Sequence, residues 1–226
     1  MKISVIIPAL NERGSILACL SSVRCQQGEF EIIVVDGGSN DGTPGIARPH
    51  AKVIAHEKGR ATQMNAGARH ASGDVLLFLH ADSCLAPGCL SAIESALNDP
   101  RITGGTFTLR FDSPGYLLRI IALLTRFKFR HFHYGDQGIF VRRAVFEQLG
   151  GFKQIPIMED LEFLKRLYRA GKVVLLQHPV TTSARRYLKR GILRQQLLDN
   201  GLVILYQARI RPDTLAKWYG RTDCRS

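Results

Sequence analysis

Leu77-Phe78-Leu79-His80-Ala81-Asp82-Ser83 is the stretch from which the rest of the chain can be read. A run of strand-forming apolar residues stops abruptly at a histidine and a carboxylate. In an open α/β sheet, ligands bind outside the carboxyl ends of the strands. An acid placed there can hold a divalent cation against a phosphate. Two earlier strand ends are also acidic, near Glu12 and at Asp36. Three such ends in one half of a chain point to a nucleotide site.

Outward from this stretch, strand and helix alternate. Ile3 to Ile7 reads as a buried strand closed by Pro8, and Glu12 to Gln26 has apolar residues at helical spacing. Strands are expected at Glu31 to Val35, Lys52 to Ala55 and Asp74 to Leu79. Helices are expected after Gly42, at Arg60 to Ala71 and at Pro87 to Leu97. Continuous apolar strands at βα spacing imply an α/β fold with a mostly parallel central sheet covered by helices on both faces. Beyond residue 100 the alternation weakens. Thr103 to Phe111, Gln137 to Arg142 and Val173 to Leu176 read as strands. Met158 to Ala170 reads as a helix, and Tyr187 to Tyr206 as a basic amphipathic one.

The 226 residues carry a formal net charge of +12. Residues 1–100 hold 8 Lys and Arg against 10 Asp and Glu, and the remainder 23 against 9. The basic excess therefore belongs to the C-terminal part. It is either a solvated face or a surface for an anionic partner, with a lipid surface or anionic acceptor ranked before nucleic acid. Zinc-finger spacing and the aromatic-glycine RNA signature are missing, so no nucleic-acid partner is expected. Five cysteines form no CxxC pair and read as reduced, inert thiols. No segment reaches the roughly 20 apolar residues of a bilayer span. Tyr116 to Leu124 comes nearest and reads as an interfacial or packed helix. A cytoplasmic location is expected, with peripheral contact at the inner face of the membrane.

Each polar cluster has a structural and a chemical reading. Glu12 or Asn11 either caps a helix or meets a ribose hydroxyl or base edge. The glycines after Asp36 let backbone N–H groups approach a ligand, and Asp41 caps the following helix. Arg60 at a helix start suits a diphosphate or is a surface cation, and the small residues beside it indicate close packing. His80 is a metal ligand, a ribose contact or a hydrogen-bonded strand-end residue. Glu159 and Asp160 either favour a helix dipole or supply a general base. Asp136 and Gln137 fall where an acceptor side would be lined.

Taken together and in order, Ser4 to Glu12, Val35 to Thr43, Arg60 with Asn65-Ala66-Gly67, the strand ending in Asp82, Gly150-Gly151-Phe152 and Glu159-Asp160 resemble the family 2 glycosyltransferases, from Ile3 to about Gly171. The resemblance implies the GT-A fold, a nucleotide-diphosphate sugar donor, Mg²⁺ or Mn²⁺, and inversion at the anomeric carbon. It implies that Asp82 matches the metal-touching second acid of the D-x-D motif and that Asp160 matches the base. Pro8, Ala9, Glu12, Asp36, Gly38, Arg60, Asn65, His80 and Asp82 fall on the donor side. Asp136, Gln137, Glu159, Arg185 and Arg186 fall on the acceptor side. His80 replaces the first acid of D-x-D, as in a small bacterial subgroup with His-Ala-Asp, and Gly37 stands where many members carry a second Asp. The processive Q-x-x-R-W signature is absent, so transfer of one sugar to a small-molecule or lipid-linked acceptor is expected. The expected organisation is a GT-A domain over 1–180, with a nucleotide half (1–100) and an acceptor half (101–180), and a helical extension over 181–226. A nucleotidyltransferase and a non-catalytic nucleotide-sugar binding protein are the rival readings.

Overall fold

The computed structural model describes residues 1–124 and 137–223. The first half runs β1 (Ile3–Ala9), α1 (Ile16–Arg24), β2 (Phe30–Asp36), α2 (Thr43–Ala47), β3 (Lys52–Ala55), α3 (Arg60–His70), β4 (Val75–Phe78), β5 (Ser83–Leu85) and α4 (Cys89–Leu97). The second half runs β6 (Ile102–Phe111), α5 (Tyr116–Leu124), β7 (Ile139–Arg142), α6 (Arg143–Gln148), α7 (Glu159–Ala170), β8 (Lys172–Thr182), α8 (Arg185–Arg190), α9 (Ile192–Gln207) and α10 (Pro212–Asp223). One sheet joins the strands in the order β3-β2-β1-β4-β7-β6-β8-β5. The first four strands are mutually parallel, and β7 enters antiparallel between β4 and β6.

The strands are apolar on both sides because both sides are covered. Along β1, Ile3, Val5 and Ile7 join a core layer with α1 and α4, while Ile6 joins the opposite layer with α3, α6 and α7. In β4, Val75 and Leu77 point to the first layer and Leu76 and Phe78 to the second. The close packing expected beside Arg60 is found at Gly67, where an added Cβ would lie 2.3 Å from Cγ2 of Ile6. Helix α3 can therefore sit directly on the sheet.

Several boundaries differ from those read in the sequence. Pro8 lies inside β1 and does not close it. Its missing N–H would face β4, but pairing with β4 has already ended at Ile6 and Phe78. β8 is 11 residues long, and a register shift opposite Phe107 and Thr108 accommodates Gln177 and His178 before pairing resumes at Pro179. The single helix expected from Tyr187 to Tyr206 is two, α8 and α9, broken at Gly191 with φ of 85°. α6, α10 and the short β5 had no distinct pattern of their own. The cysteines within the described residues, Cys19, Cys25, Cys84 and Cys89, are all free.

Gln63 fixes the end of the sheet where ligands would bind. Its buried side-chain amide donates to the carbonyls of Ala9 (2.9 Å) and Val35 (2.7 Å), so α3 clamps the carboxyl ends of β1 and β2 together. Replacing Gln63 by Leu leaves those buried carbonyls without this donor. The expected loss is about 1–3 kcal/mol of unfolding free energy, read from urea denaturation. An unchanged midpoint and slope would show that the clamp contributes nothing.

Candidate active site

A cavity of about 570 Å³ opens at the carboxyl ends of β1 and β4, beside the first turn of α3. Pro8, Ala9 and Glu12 form one wall, Arg60 and Gln63 another, and His80 and Asp82 a third. Arg185, Arg186 and Tyr187 of α8 close the far side. Eight of the residues expected from the sequence are thereby brought together: Pro8, Ala9, Glu12, Arg60, His80, Asp82, Arg185 and Arg186. Lys58, Gln63, Lys189 and Asp199 also line the cavity and were not anticipated. For Lys58 the signal was its place two residues before Arg60 at a helix start.

The loops after β1 and β2 hold each other in place. Asn11 adopts a left-handed conformation (φ 54°), which asparagine tolerates better than most residues. Its N–H donates to Ser39 Oγ (2.8 Å), and its Oδ1 accepts from the N–H of Asn40 (3.0 Å). The N–H of Glu12 donates to Thr43 Oγ1 (2.9 Å). Asp41 accepts from the N–H groups of Thr43 and Arg13, so it serves one donor of α2 and ties that helix to the β1 loop, while Gly42, not Asp41, holds the cap position. The Thr43 hydroxyl, followed by these backbone donors, holds the Asp41 carboxyl below the usual range. Asp36 shapes its own turn: one oxygen accepts from the N–H groups of Gly38 and Ser39, both at 3.1 Å. Its other oxygen is buried without a hydrogen-bond partner among the described residues. Gly38 supplies the positive φ (92°) that this turn requires. Neither Asp36 nor Gly38 lines the cavity; through Ser39, Asn40 and Thr43 their turn braces the loop after β1, which does.

The acid pair, Glu159 and Asp160, stands behind the wall that Arg60 and His80 form and does not itself line the cavity. Met158 takes a left-handed conformation (φ 69°) immediately before α7, a strained arrangement for a non-glycine residue. This turn starts the helix with Glu159 and Asp160, both buried. Arg60 Nη1 lies 3.2 Å from Glu159 Oε1 and 3.7 Å from Asp160 Oδ2. His80 Nε2 is 4.0 Å from the same oxygen of Asp160. Burial first, and the neighbouring Asp160 second, push the Glu159 carboxyl up to about 6 against the pull of Arg60. Arg60 and His80 thus lie between the cavity, which they line, and the two acids.

Other expected residues are placed differently. The Asn65 side chain donates to the carbonyl of Phe152 (2.8 Å) and accepts from its N–H (2.9 Å). It joins α3 to the turn at Gly150 and Gly151 and does not line the cavity. Gln137 is fully buried at the start of the segment leading to β7. Asp136 lies outside the described residues. Arg185 Nη2 reaches across to Glu12 Oε2 (3.0 Å), latching α8 to the loop after β1.

The donor set suits a divalent ion of a particular kind. Among the described residues, no group of three His, Cys, Asp or Glu can hold a metal by itself. Asp82 presents one hard carboxylate in a cavity that is also lined by Lys58, Arg60, Arg185, Arg186 and Lys189. Mg²⁺-type ions bind through one or two carboxylates, with waters and substrate phosphates completing the shell. The residues fit an ion that arrives with a diphosphate, not a protein-caged one.

Comparison with known proteins agrees with this geometry. Residues 4–149 match the model of glycosyl transferase family 2. A PGL/p-HBAD biosynthesis glycosyltransferase of Mycobacterium bovis is 31% identical over 213 residues, covering 87% of this chain and 80% of that protein. The glycosyltransferase AglE of Haloferax volcanii is 28% identical over 202 residues, covering 79% and 65%. Among solved structures, TarS of S. aureus in complex with UDP superimposes with a TM-score of 0.68 at 20% identity, covering 81% of this chain and 60% of that one. The mannosyltransferase PcManGT of Pyrobaculum calidifontis, in complex with GDP-Man and Mn²⁺, gives 0.64 at 23% identity, covering 80% and 56%. The chain thus spans about three fifths of these solved chains, and the shared architecture is the GT-A fold. With the family model matching well over half its length, the chain belongs to glycosyl transferase family 2 and is a glycosyltransferase.

Proposed function

We propose that the protein is an inverting, metal-dependent glycosyltransferase that moves one sugar from a nucleotide-diphosphate donor to an acceptor hydroxyl or carboxylate. The observation that carries this reading is a cation-lined cavity at the strand ends, with Asp82 on its wall and Asp160 behind Arg60 and His80. The family model, a UDP complex and a GDP-Man complex among the structural neighbours support it. We read residues 1–180 as the catalytic unit and 181–226 as an extension that covers the cavity. We read His80-Ala81-Asp82 as similar to a small bacterial subgroup of the family in which histidine replaces the first acid.

In this mechanism the nucleoside lies against Pro8, Ala9 and Glu12, with Asp36 and Gly38 holding the loop beneath it. The diphosphate faces Lys58 and Arg60, whose charges favour the departing phosphate oxygens. Asp82 would hold Mg²⁺ or Mn²⁺ together with the diphosphate; when bound, that ion neutralises charge on the leaving group. The acceptor oxygen forms its bond to the anomeric carbon on the face opposite the breaking carbon–oxygen bond. Asp160 takes the hydroxyl proton as that bond forms. His80 and Arg60 orient the Asp160 carboxylate, and Glu159 anchors Arg60 from the buried side. Arg185 and Arg186 of α8 bring positive charge to the acceptor side, and we assign the Asp136–Gln137 segment to that side by its place in the chain alone.

No described helix is long and apolar enough to cross a membrane. We read the acceptor as amphipathic and lipid-like, approached by peripheral contact with an anionic membrane.

Turnover of a panel of UDP- and GDP-sugars, with Mn²⁺ and with chelator, tests the reading. Asp82→Ala is expected to abolish the Mn²⁺-dependent part of donor turnover. Activity equal to that of the unaltered protein under both conditions rejects Asp82 as the metal residue. Asp160→Asn is expected to keep donor affinity and to lower the transfer rate at least roughly 100-fold, the lower end of general-base contributions. Full transfer by this variant removes Asp160 from that role.

The raised carboxyl of Glu159 has a consequence for stability. A carboxyl whose folded value lies near 6 and whose unfolded value lies near 4.5 disfavours folding once it ionises. The penalty is absent below about pH 4.5 and complete above about pH 6. Glu159→Gln mimics the protonated form, so it is expected to gain about 2 kcal/mol relative to the unaltered protein as pH rises through this window. Denaturation at pH 4.5 and pH 7.5 measures the difference. A stability difference between variant and unaltered protein that does not grow from pH 4.5 to pH 7.5 contradicts the assignment.

A further inference from the structure

Helix α9 is apolar on two sides. Leu202 and Val203 are buried against the protein, yet Leu193, Leu197 and Ile204 are 64%, 73% and 57% exposed. Their spacing of four and seven residues puts these three on one outward stripe. A surface helix ordinarily turns polar residues to water. Helix α5 repeats the pattern: Leu118 is buried, whereas Tyr116, Leu123 and Leu124 are 77%, 50% and 59% exposed. The two helices flank one small core. Leu118 and Ile121 of α5 belong to the same small core as Tyr187 of α8 and Ile192 of α9.

The charge around this surface is one-sided. From Arg185 to Asp213 there are seven Lys and Arg and two acids, Asp199 and Asp213. Arg185, Arg186 and Lys189 line the cavity, Arg211 pairs with Asp213, and Arg194 and Arg209 stand exposed outside it. Helix α5 contains Arg119 and no acid. A self-complementary contact between two copies would bring these like charges together. An anionic bilayer would balance them, with basic residues at headgroup depth and the apolar stripe below.

We propose that the outer faces of α5, α8 and α9 form a docking surface for an anionic lipid bilayer. Arg186, Tyr187 and Lys189 lie in the same short helix as exposed Leu188 and also line the donor cavity. Docking therefore sets the cavity mouth at headgroup level, where the hydroxyl of a membrane-borne acceptor lies. The surface deepens the transferase reading above and rests on it only for that last consequence.

Co-sedimentation with phosphatidylcholine vesicles, with and without phosphatidylglycerol, tests the surface without requiring turnover. The protein is expected to sediment with the anionic vesicles at low salt and to be released by salt. Arg194→Gln, outside the cavity, should weaken binding about fivefold. A Leu193→Ser, Leu197→Ser double variant should weaken it roughly tenfold or more, because two side chains lose apolar burial. Both positions are exposed, so the variant should keep its melting temperature and its donor hydrolysis. Equal binding of the double variant and the unaltered protein overturns the proposal. So does failure of the unaltered protein to bind anionic vesicles, or a dimer in sedimentation velocity that the double variant dissolves. If vesicles fail to bind while donor turnover persists, the docking surface falls and the transferase reading stands. If vesicles bind but no sugar nucleotide is turned over, the reverse holds.

Discussion

Glu159 and Asp160 put two negative charges into the first turn of a helix, and both side chains are buried there. Such a pair requires a cation close by, and Arg60 supplies it at 3.2 and 3.7 Å. The requirement reaches far into the structure. Arg60 can span the gap only because α3 sits flush on β1 at Gly67 and is pinned to both strand ends by Gln63. The start of α7 is held from its other side. Glu162 pairs with Lys153 and Arg166, and Arg166 also donates to the carbonyl of Gly151. Burial alone would raise the Glu162 carboxyl, but these two cations outweigh it and hold it low. The acid pair therefore links both halves of the sheet to one side of the cavity.

The parallel half of the fold was largely legible in the sequence because its strands β1, β2 and β4 are apolar runs buried on both faces, with β3 a shorter β-branched run at the edge. Lys52 to Ala55 is a strand with the bounds expected, and Arg60 to His70 a helix one residue shorter than expected. Local sequence does not report where a neighbouring strand stops, which is why Pro8 looked like a terminator. It sits in β1 because β4 has already diverged beside it. In the second half, β8 pairs with β6 through a two-residue irregularity at Gln177 and His178, which breaks the alternation that marks a strand. The left-handed turn at Gly191 breaks a continuous helical pattern of apolar residues.

The cavity was legible where its residues end strands and hidden where they come from helices. Pro8, Glu12 and Asp82 follow apolar runs, so position in the chain revealed them. Gln63 and Asp199 lie within helices, and nothing in their surroundings in the sequence sets them apart from surface residues. Asn65 illustrates the opposite case: it is in a motif segment, but its amide joins α3 to Phe152. His80 gains meaning only from the fold, which brings its ring to 4.0 Å from Asp160, a residue eighty positions away in the chain.

The central claim is that Asp82 and the diphosphate of a sugar nucleotide share one divalent ion in this cavity. The most direct measurement is a crystal structure grown with Mn²⁺ and a nucleoside diphosphate, with anomalous scattering used to locate the metal. A manganese peak is expected within coordination distance of the Asp82 carboxylate and beside the diphosphate, with the Arg60 guanidinium facing the same diphosphate. A nucleotide bound with its phosphates away from Asp82, or manganese held elsewhere while Asp82 contacts only protein, would contradict it.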